Sequence, residues 1–271
     1  MGDTWRLLRH GAAPGAENMA IDEAIGAAVG ARREPPTLRF YAWDPPCVSL
    51  GRNQPMSAID TARCAALGYH VVRRPTGGRA ILHTDELTYS VVAPTDDPVM
   101  QGLVLDAYLR LAGGLVDGLR RLGIPAEQAP ATNRAGPDVS AACFEVPSAY
   151  EIVVRGRKLL GSAQNRRSGF VLQHGSLPLT GDLTRLIDCL RFPSEADRAA
   201  LRRSLAEHAV TAEELTGRVI GLKEASDALT AGFATALGVE LIPSDLNPEE
   251  RKCAAELARD KYGSSTWTGR S

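Results

Sequence analysis

A cysteine, a lysine and a glycine pair flanked by arginines are the residues here whose types and settings suit chemistry. Cys143 follows a stretch, Ala126 to Ala142, rich in Ala, Pro, Gly, Asn and Ser and without hydrophobic period, and it precedes a strand-like segment. Loops on a rigid scaffold are where reactive groups are commonly held. A cation close by would lower the thiol from its ordinary pKa of about 8.5 and raise the thiolate fraction. The plainer alternative is a packed, unreactive thiol. Lys158 opens a strand-like run between Gly156 and Leu159-Leu160. Local sequence favours a surface position for it; the alternative is an inward position that orients a carbonyl. His83 and His174 sit in strands beside small or polar residues, where a histidine more often completes a hydrogen-bond pattern than performs catalysis. Both are expected to line a pocket at most.

The run HVVRRPTGGRAILHTDELTYSVV, beginning at His70, reads as a strand, a glycine turn and a longer strand. Gly77 and Gly78 lack a Cβ, so the backbone there can approach a ligand closely. Arg73 and Arg74 before the turn and Arg79 after it offer planar forks that suit an anion or a carbonyl oxygen. A simple hairpin turn is the plainer alternative. Neither G-x-x-x-x-G-K-[ST] nor a strand-linked G-x-G-x-x-G is present, so no nucleotide signature supports a phosphate site.

Elements that would position these groups can be read from the periodicity. Gly15 to Gly30 predicts a helix with Met19, Ile21, Ala24, Ile25, Ala28 and Val29 on its apolar side, and Asp22 and Glu23 as a solvated first turn. Thr37 to Trp43 alternates as a strand, and Cys47 to Gly51 is a short apolar strand in which Cys47 should be buried and inert. Ser57 to Leu67 reads as a short helix with Ser57 as cap. From Met100 to Leu122 apolar residues recur at intervals of three and four, a clear amphipathic helix that Gly123 and Pro125 end. Tyr150 to Leu179 reads as a three-strand meander, turning at Arg155-Gly156-Arg157 and between Asn165 and Gly169. From about residue 182 the chain becomes helical, with segments Leu183 to Leu190, Ser194 to Glu207, Thr211 to Leu215, Leu222 to Leu237 and Pro248 to Tyr262.

Composition narrows the function classes. The 271 residues carry 31 Lys plus Arg against 32 Asp plus Glu, a formal net charge of −1. That balance argues against a general nucleic-acid binder, which would show a basic excess. No opening run resembles a signal peptide, and no stretch approaches the ~20 apolar residues of a membrane helix. A cytoplasmic protein without membrane association is expected. The five cysteines lack C-x-x-C or paired histidine spacing, so no metal site is expected.

Four stretches, in order, resemble one superfamily. RRPTGGRAILHTDELTYSVV is similar to the hallmark turn of the lipoate-protein ligase, octanoyltransferase and biotin-protein ligase superfamily. NMAIDEAI, KLLGSAQ followed by QHGSLPL, and the closing KYGSSTW are typical of its lipoate branch, so the resemblance runs from Asn18 to Trp267. CFEVPSAYEI just ahead of the lysine strand resembles the ligase-like octanoyl-[acyl-carrier-protein]:protein octanoyltransferases.

This resemblance implies an α+β fold of mixed, mostly antiparallel sheets packed with helices, like the catalytic domains of class II aminoacyl-tRNA synthetases and biotin-protein ligases. It implies one catalytic domain over residues 1–271, whose C-terminal part is helical. It also implies that Cys143 is the acyl-accepting nucleophile and Lys158 the active-site lysine. Arg74, Gly77, Gly78, Arg79, His83, Gly161, Ser162, Ala163, Gln164, His174 and Gly175 would line the substrate site. The reaction would move octanoyl from acyl carrier protein to Cys143, then to a lysine of a lipoyl domain or the glycine cleavage H protein, with no cofactor. An ATP-dependent lipoate-protein ligase is the first alternative, although such ligases lack a cysteine matching Cys143. A non-catalytic lipoyl-domain binder is the second.

Overall fold

Alternation along the longest strands builds this fold, because it gives one sheet two apolar faces, each of which must be covered. The computed structural model describes residues 3–129, 151–167 and 169–270. The first half contains β1 (Thr4–Ala13), α1 (Gly15–Gly30), β2 (Thr37–Trp43), β3 (Cys47–Leu50), α2 (Thr61–Ala66), β4 (His70–Arg73), β5 (Ile81–His83), β6 (Glu86–Pro94) and α3 (Val104–Arg121). Then come β7 (Glu127–Gln128), β8 (Ile152–Val154), β9 (Arg157–Arg166) and β10 (Phe170–Pro178). The last part holds α4 (Glu195–His208), α5 (Ala212–Thr216), α6 (Leu222–Leu237), β11 (Glu240–Pro243), α7 (Pro248–Leu257) and α8 (Ser265–Thr268).

The large sheet runs β11-β1-β2-β6-β10-β9-β8-β7, and a small one runs β4-β3-β5. Pairing is parallel at β11-β1-β2 and β3-β4 and antiparallel elsewhere. This is the mixed, mostly antiparallel α+β architecture expected. Trp5, Leu7, Leu38, Phe40, Leu87, Tyr89 and Val91 form the face of the large sheet covered by α3 and α6. Leu8, Val92, Phe170 and Leu172 form the opposite face, covered by Ile21, Ile25 and Val29 of α1 with α7 behind. Each such side chain contributes about 1.5–3 kcal/mol on burial. Covered on both faces, β2, β6 and β10 are buried along their full length.

Several sequence expectations change once these layers meet. Asp22 is not in a solvated turn: it is fully buried, facing the sheet, and Glu23 is partly covered beside the chain's end. Because α1 lies between the sheet and α7 it has no wide solvent face, and its many Ala and Gly residues blur the period that would have shown this. The glycine turn does not close a hairpin. β4 and β5 lie on opposite edges of β3, and the chain breaks at Thr84-Asp85 before β6 joins the large sheet. Asp60, not Ser57, caps α2 by accepting from Arg63 N. β11, absent from the sequence reading because it is short and largely exposed, extends the large sheet beside β1. The turn at Arg155-Gly156 is as expected, with both residues at positive φ (51° and 77°). Among the described residues no helix is long and apolar enough to cross a membrane.

Candidate active site

The two sheets and α1 line a cavity of about 100 Å³ that is partly open to solvent. The small sheet and its connection supply Ser49, Arg74, Gly78, Ile81 and His83. Met19 comes from α1, Tyr41 and Trp43 from β2, and Thr88 from β6. Gly161, Ser162 and Ala163 of β9, His174, Gly175 and Ser176 of β10, and Glu151 complete the wall.

Arg73 and Arg74 follow one another, and both are buried. Arg73 donates to five backbone carbonyls: Gly51, Arg52, Gln54, Thr268 and Arg270. Arg74 donates to the carbonyls of Ser49, Gly77 and Arg79 and to Ser49 Oγ, at 2.7–3.0 Å for its terminal nitrogens. The forks therefore hold the protein's own oxygens and set the shape of the turn. Gly78 adopts φ +90°, and a Cβ on Gly51 would lie 1.8 Å from Gly78 O. Close approach of backbone to backbone here requires glycine.

Polar side chains on the wall bond mainly to one another. His83 Nε2 is 2.8 Å from Ser49 Oγ, and its Nδ1 is 2.7 Å from Glu86 Oε1. Glu86 also accepts from Thr88 Oγ1 and Ser176 Oγ, and Thr88 Oγ1 accepts from Trp43 Nε1. Burial alone would raise the Glu86 pKa, but His83 and the two hydroxyls hold it below the usual carboxylate range. On the α1 side, Asp22 accepts from Arg39, Tyr41 and Ser90 and pairs with His174 Nδ1 at 3.5 Å. His174 Nε2 is 2.6 Å from Thr76 Oγ1. Burial raises and Arg39 lowers the Asp22 pKa, with a net downward shift. Burial lowers that of His174 against the opposing pull of Asp22, so the ring is held neutral more readily. With these partners in place, the wall meets an apolar ligand without stranding a polar group.

Lys158 overturns its local sequence reading. It is fully buried, and its Nζ pairs with the Glu151 carboxylate, one of the cavity-lining groups. A Cβ on Gly161 would lie 2.9 Å from Lys158 Cε and 3.1 Å from Nζ, so the missing side chain gives the lysine room beside the cavity. A buried ammonium next to a carboxylate can donate to a carbonyl oxygen or take part in proton transfer.

Of the residues that the sequence reading placed in a substrate site, Arg74, Gly78, His83, Gly161, Ser162, Ala163, His174 and Gly175 lie around one cavity. Gly77, Arg79 and Gln164 are not among the lining residues. The carbonyls of Gly77 and Arg79 serve Arg74, while Gln164 bonds Gln173, whose amide reaches Tyr89 on the sheet face under α3 and α6. Cys143 and most of the expected Ala126–Ala142 loop fall in residues 130–150, outside the described residues; Glu127–Gln128, just before them, pairs with β8. Cys47 is a buried free thiol whose pKa burial pushes up, the inert state expected. Among the described residues no cluster of three or more His, Cys, Asp or Glu side chains is suited to a metal.

Missed by the sequence reading were Met19, Tyr41, Trp43, Ser49, Ile81, Thr88, Glu151 and Ser176. Tyr41 and Trp43 share a strand face by their period of two, a signal that was available. Glu151 carried none: its role depends on the β8-β9 hairpin, whose irregular register pairs Val153 with Lys158.

The lipoyl protein ligase A/B catalytic domain profile matches residues 14–234, and the chain belongs to that family. A relative from Kyrpidia tusciae, named Octanoyltransferase LipM, is 47% identical over 98% of this chain and 99% of its own. Another of that name, from Symbiobacterium thermophilum, is 46% identical over the full length of both. Among solved structures, a bipartite lipoate protein ligase from Thermoplasma acidophilum, described with its E2 lipoyl domain, superposes with TM-score 0.81. It is 25% identical over 98% of this chain and 96% of that one.

Proposed function

We propose that this enzyme moves octanoyl from acyl carrier protein onto Cys143 and then onto a lysine of a lipoyl domain or of the glycine cleavage H protein. That it is an octanoyltransferase of lipoate biosynthesis rests on full-length similarity to relatives of that name. The observation that carries the reading is the cavity itself, a partly open space whose polar walls are hydrogen-bonded, with the Lys158–Glu151 pair at its side. Such a wall suits a saturated acyl tail, which gains roughly 0.8 kcal/mol per buried methylene. Discrimination between neighbouring chain lengths would accordingly be modest.

In this reading the Cys143 thiolate attacks the octanoyl thioester and the carrier thiol leaves. One thioester replaces another, so no ATP drives the step. The acceptor amine then attacks the octanoyl-enzyme and forms an amide, a two-step covalent route. Lys158, oriented by Glu151, donates to the carbonyl oxygen as charge develops on it. A lipoyl domain as acceptor is supported by the pairing of ligase and E2 lipoyl domain described for the Thermoplasma acidophilum system.

Incubation with octanoyl-acyl carrier protein in the absence of ATP, followed by intact mass measurement, tests the route. An octanoyl adduct is expected on the wild-type chain and not on Cys143→Ala. No adduct on wild type, or an equal adduct on the variant, overturns it. Modification of an apo lipoyl domain only when lipoate or octanoate and ATP are supplied would make the ligase reading the correct one.

A further inference from the structure

Two cavity-lining residues that the acyl-transfer route does not use, Ser49 and His83, form a serine–histidine–carboxylate series with Glu86 behind them. Ser49 comes from β3, His83 from β5 and Glu86 from β6, so the series bridges the two sheets. Ser49 Oγ lies 2.8 Å from His83 Nε2, and His83 Nδ1 lies 2.7 Å from Glu86 Oε1. The hydrogen-bond directions follow from the neighbours. Glu86 already accepts from two hydroxyls, so His83 donates to it through Nδ1–H and keeps a lone pair on Nε2. Arg74 Nη1 donates to Ser49 Oγ at 3.0 Å, which leaves the serine proton for Nε2. The imidazole stacks on Trp43, with ring centres 3.9 Å apart and planes 9° from parallel, and this fixes its orientation.

We propose that Ser49 is a second acyl-accepting nucleophile, through which this chain hydrolyses small acyl esters and thioesters that enter the cavity. Ser49 Oγ attacks the carbonyl carbon as its proton passes to His83 Nε2. The carbon–sulfur or carbon–oxygen bond to the leaving group then breaks, and that group takes the proton from His83. Water attacks the acyl-serine, giving its proton to His83; the carbon–Oγ bond breaks and Oγ recovers the proton. The products are a carboxylic acid and a thiol or alcohol, with no co-reactant besides water. Glu86 stays ionised throughout and stabilises the imidazolium. Acylation makes Oγ a poorer acceptor, which frees the Arg74 Nη1 proton for the carbonyl oxygen where negative charge develops. The inference shares the acyl-binding cavity of the proposed function but not its nucleophile.

The test uses the full chain carrying Cys143→Ala, an ethyl alkylfluorophosphonate and p-nitrophenyl acetate. An activated serine attacks the phosphorus and expels fluoride, leaving a stable adduct. One adduct mapping to Ser49 is expected, with ester hydrolysis at least tenfold above buffer. Both should vanish in Ser49→Ala and fall at least tenfold in His83→Gln. No adduct, an adduct elsewhere, or hydrolysis unchanged in Ser49→Ala overturns the proposal. Adduct mapping on the chain that keeps Ser49 is decisive even where a variant folds poorly. Because Cys143 acylation is read separately on wild type, either nucleophile can fail while the other stands.

Discussion

Two strongly basic regions flank the same cavity and handle buried charge in opposite ways. On the glycine-turn side, Arg73 and Arg74 spread their charge over backbone carbonyls of three separate segments. On the β9 side, Lys158 meets a carboxylate, Glu151, that itself lines the cavity. A guanidinium is a fixed fork that stays charged, so surrounding it with carbonyls makes a bracket. An ammonium beside a titratable group keeps rotatable donors and a partner that can exchange a proton. The partner decides whether the cation is locked into the frame of the site or keeps a proton-exchanging neighbour.

The largest expected effect comes from Lys158. Lys158→Met should lower octanoyl transfer by about 10²–10⁴-fold, the usual contribution of a positioned acid–base group. It also breaks the buried Lys158–Glu151 ion pair, and losing one partner of such a pair costs about 3–5 kcal/mol. The double variant Lys158→Met/Glu151→Leu should regain most of that stability in urea unfolding yet stay inactive. Recovery of activity in the double variant would break the comparison.

Arg73→Ala should act the other way round, as a folding defect. Leaving five carbonyls short of a donor predicts a loss on the order of 3–5 kcal/mol, read as a lower urea midpoint. A variant of wild-type stability with reduced turnover would move Arg73 into the chemistry. A smaller loss, about 2–3 kcal/mol, is expected for Asp22→Asn, whose partner Arg39 is bracketed by Asn18 and His10 as well. A thermal or urea comparison of the two variants ranks the brackets directly.

The smallest effect concerns pH. His174 has a lowered pKa in the folded chain, so below about pH 6.5 the unfolded chain binds a proton that the folded one does not. Stability therefore declines as pH falls from that point toward the folded value. His10 shifts in the same direction. Asp22 and Glu86, both lowered, keep their contribution above about pH 4 and lose it only as pH falls through their folded values. His174→Gln should shrink the first decline and leave the second, measured as urea midpoint against pH. An unchanged first stage would place the titration on His10.

Legibility in the sequence followed the strength of local signals. The α3 helix was clear because its apolar residues recur on one side, and the β8–β10 meander because turn residues bracket its strands. The glycine pair and its arginines stood out by type alone, but their role did not, since it depends on which carbonyls converge on the guanidinium groups. Asp22 was misjudged because it was read as part of a solvated first turn, whereas it lies in the middle of α1, where a carboxylate looks the same in sequence whether it faces water or an arginine.

By itself the sequence determined the strand and helix periods, the position of the turn glycines and the family resemblance. Each depends on neighbours within a few residues or on motif order. Only the tertiary structure decided that Lys158 is buried against Glu151, that Arg73 and Arg74 bind carbonyls, and that Ser49, His83 and Glu86 align. Those outcomes join groups from separate segments of two sheets, and their energies arise from removing the groups from water together.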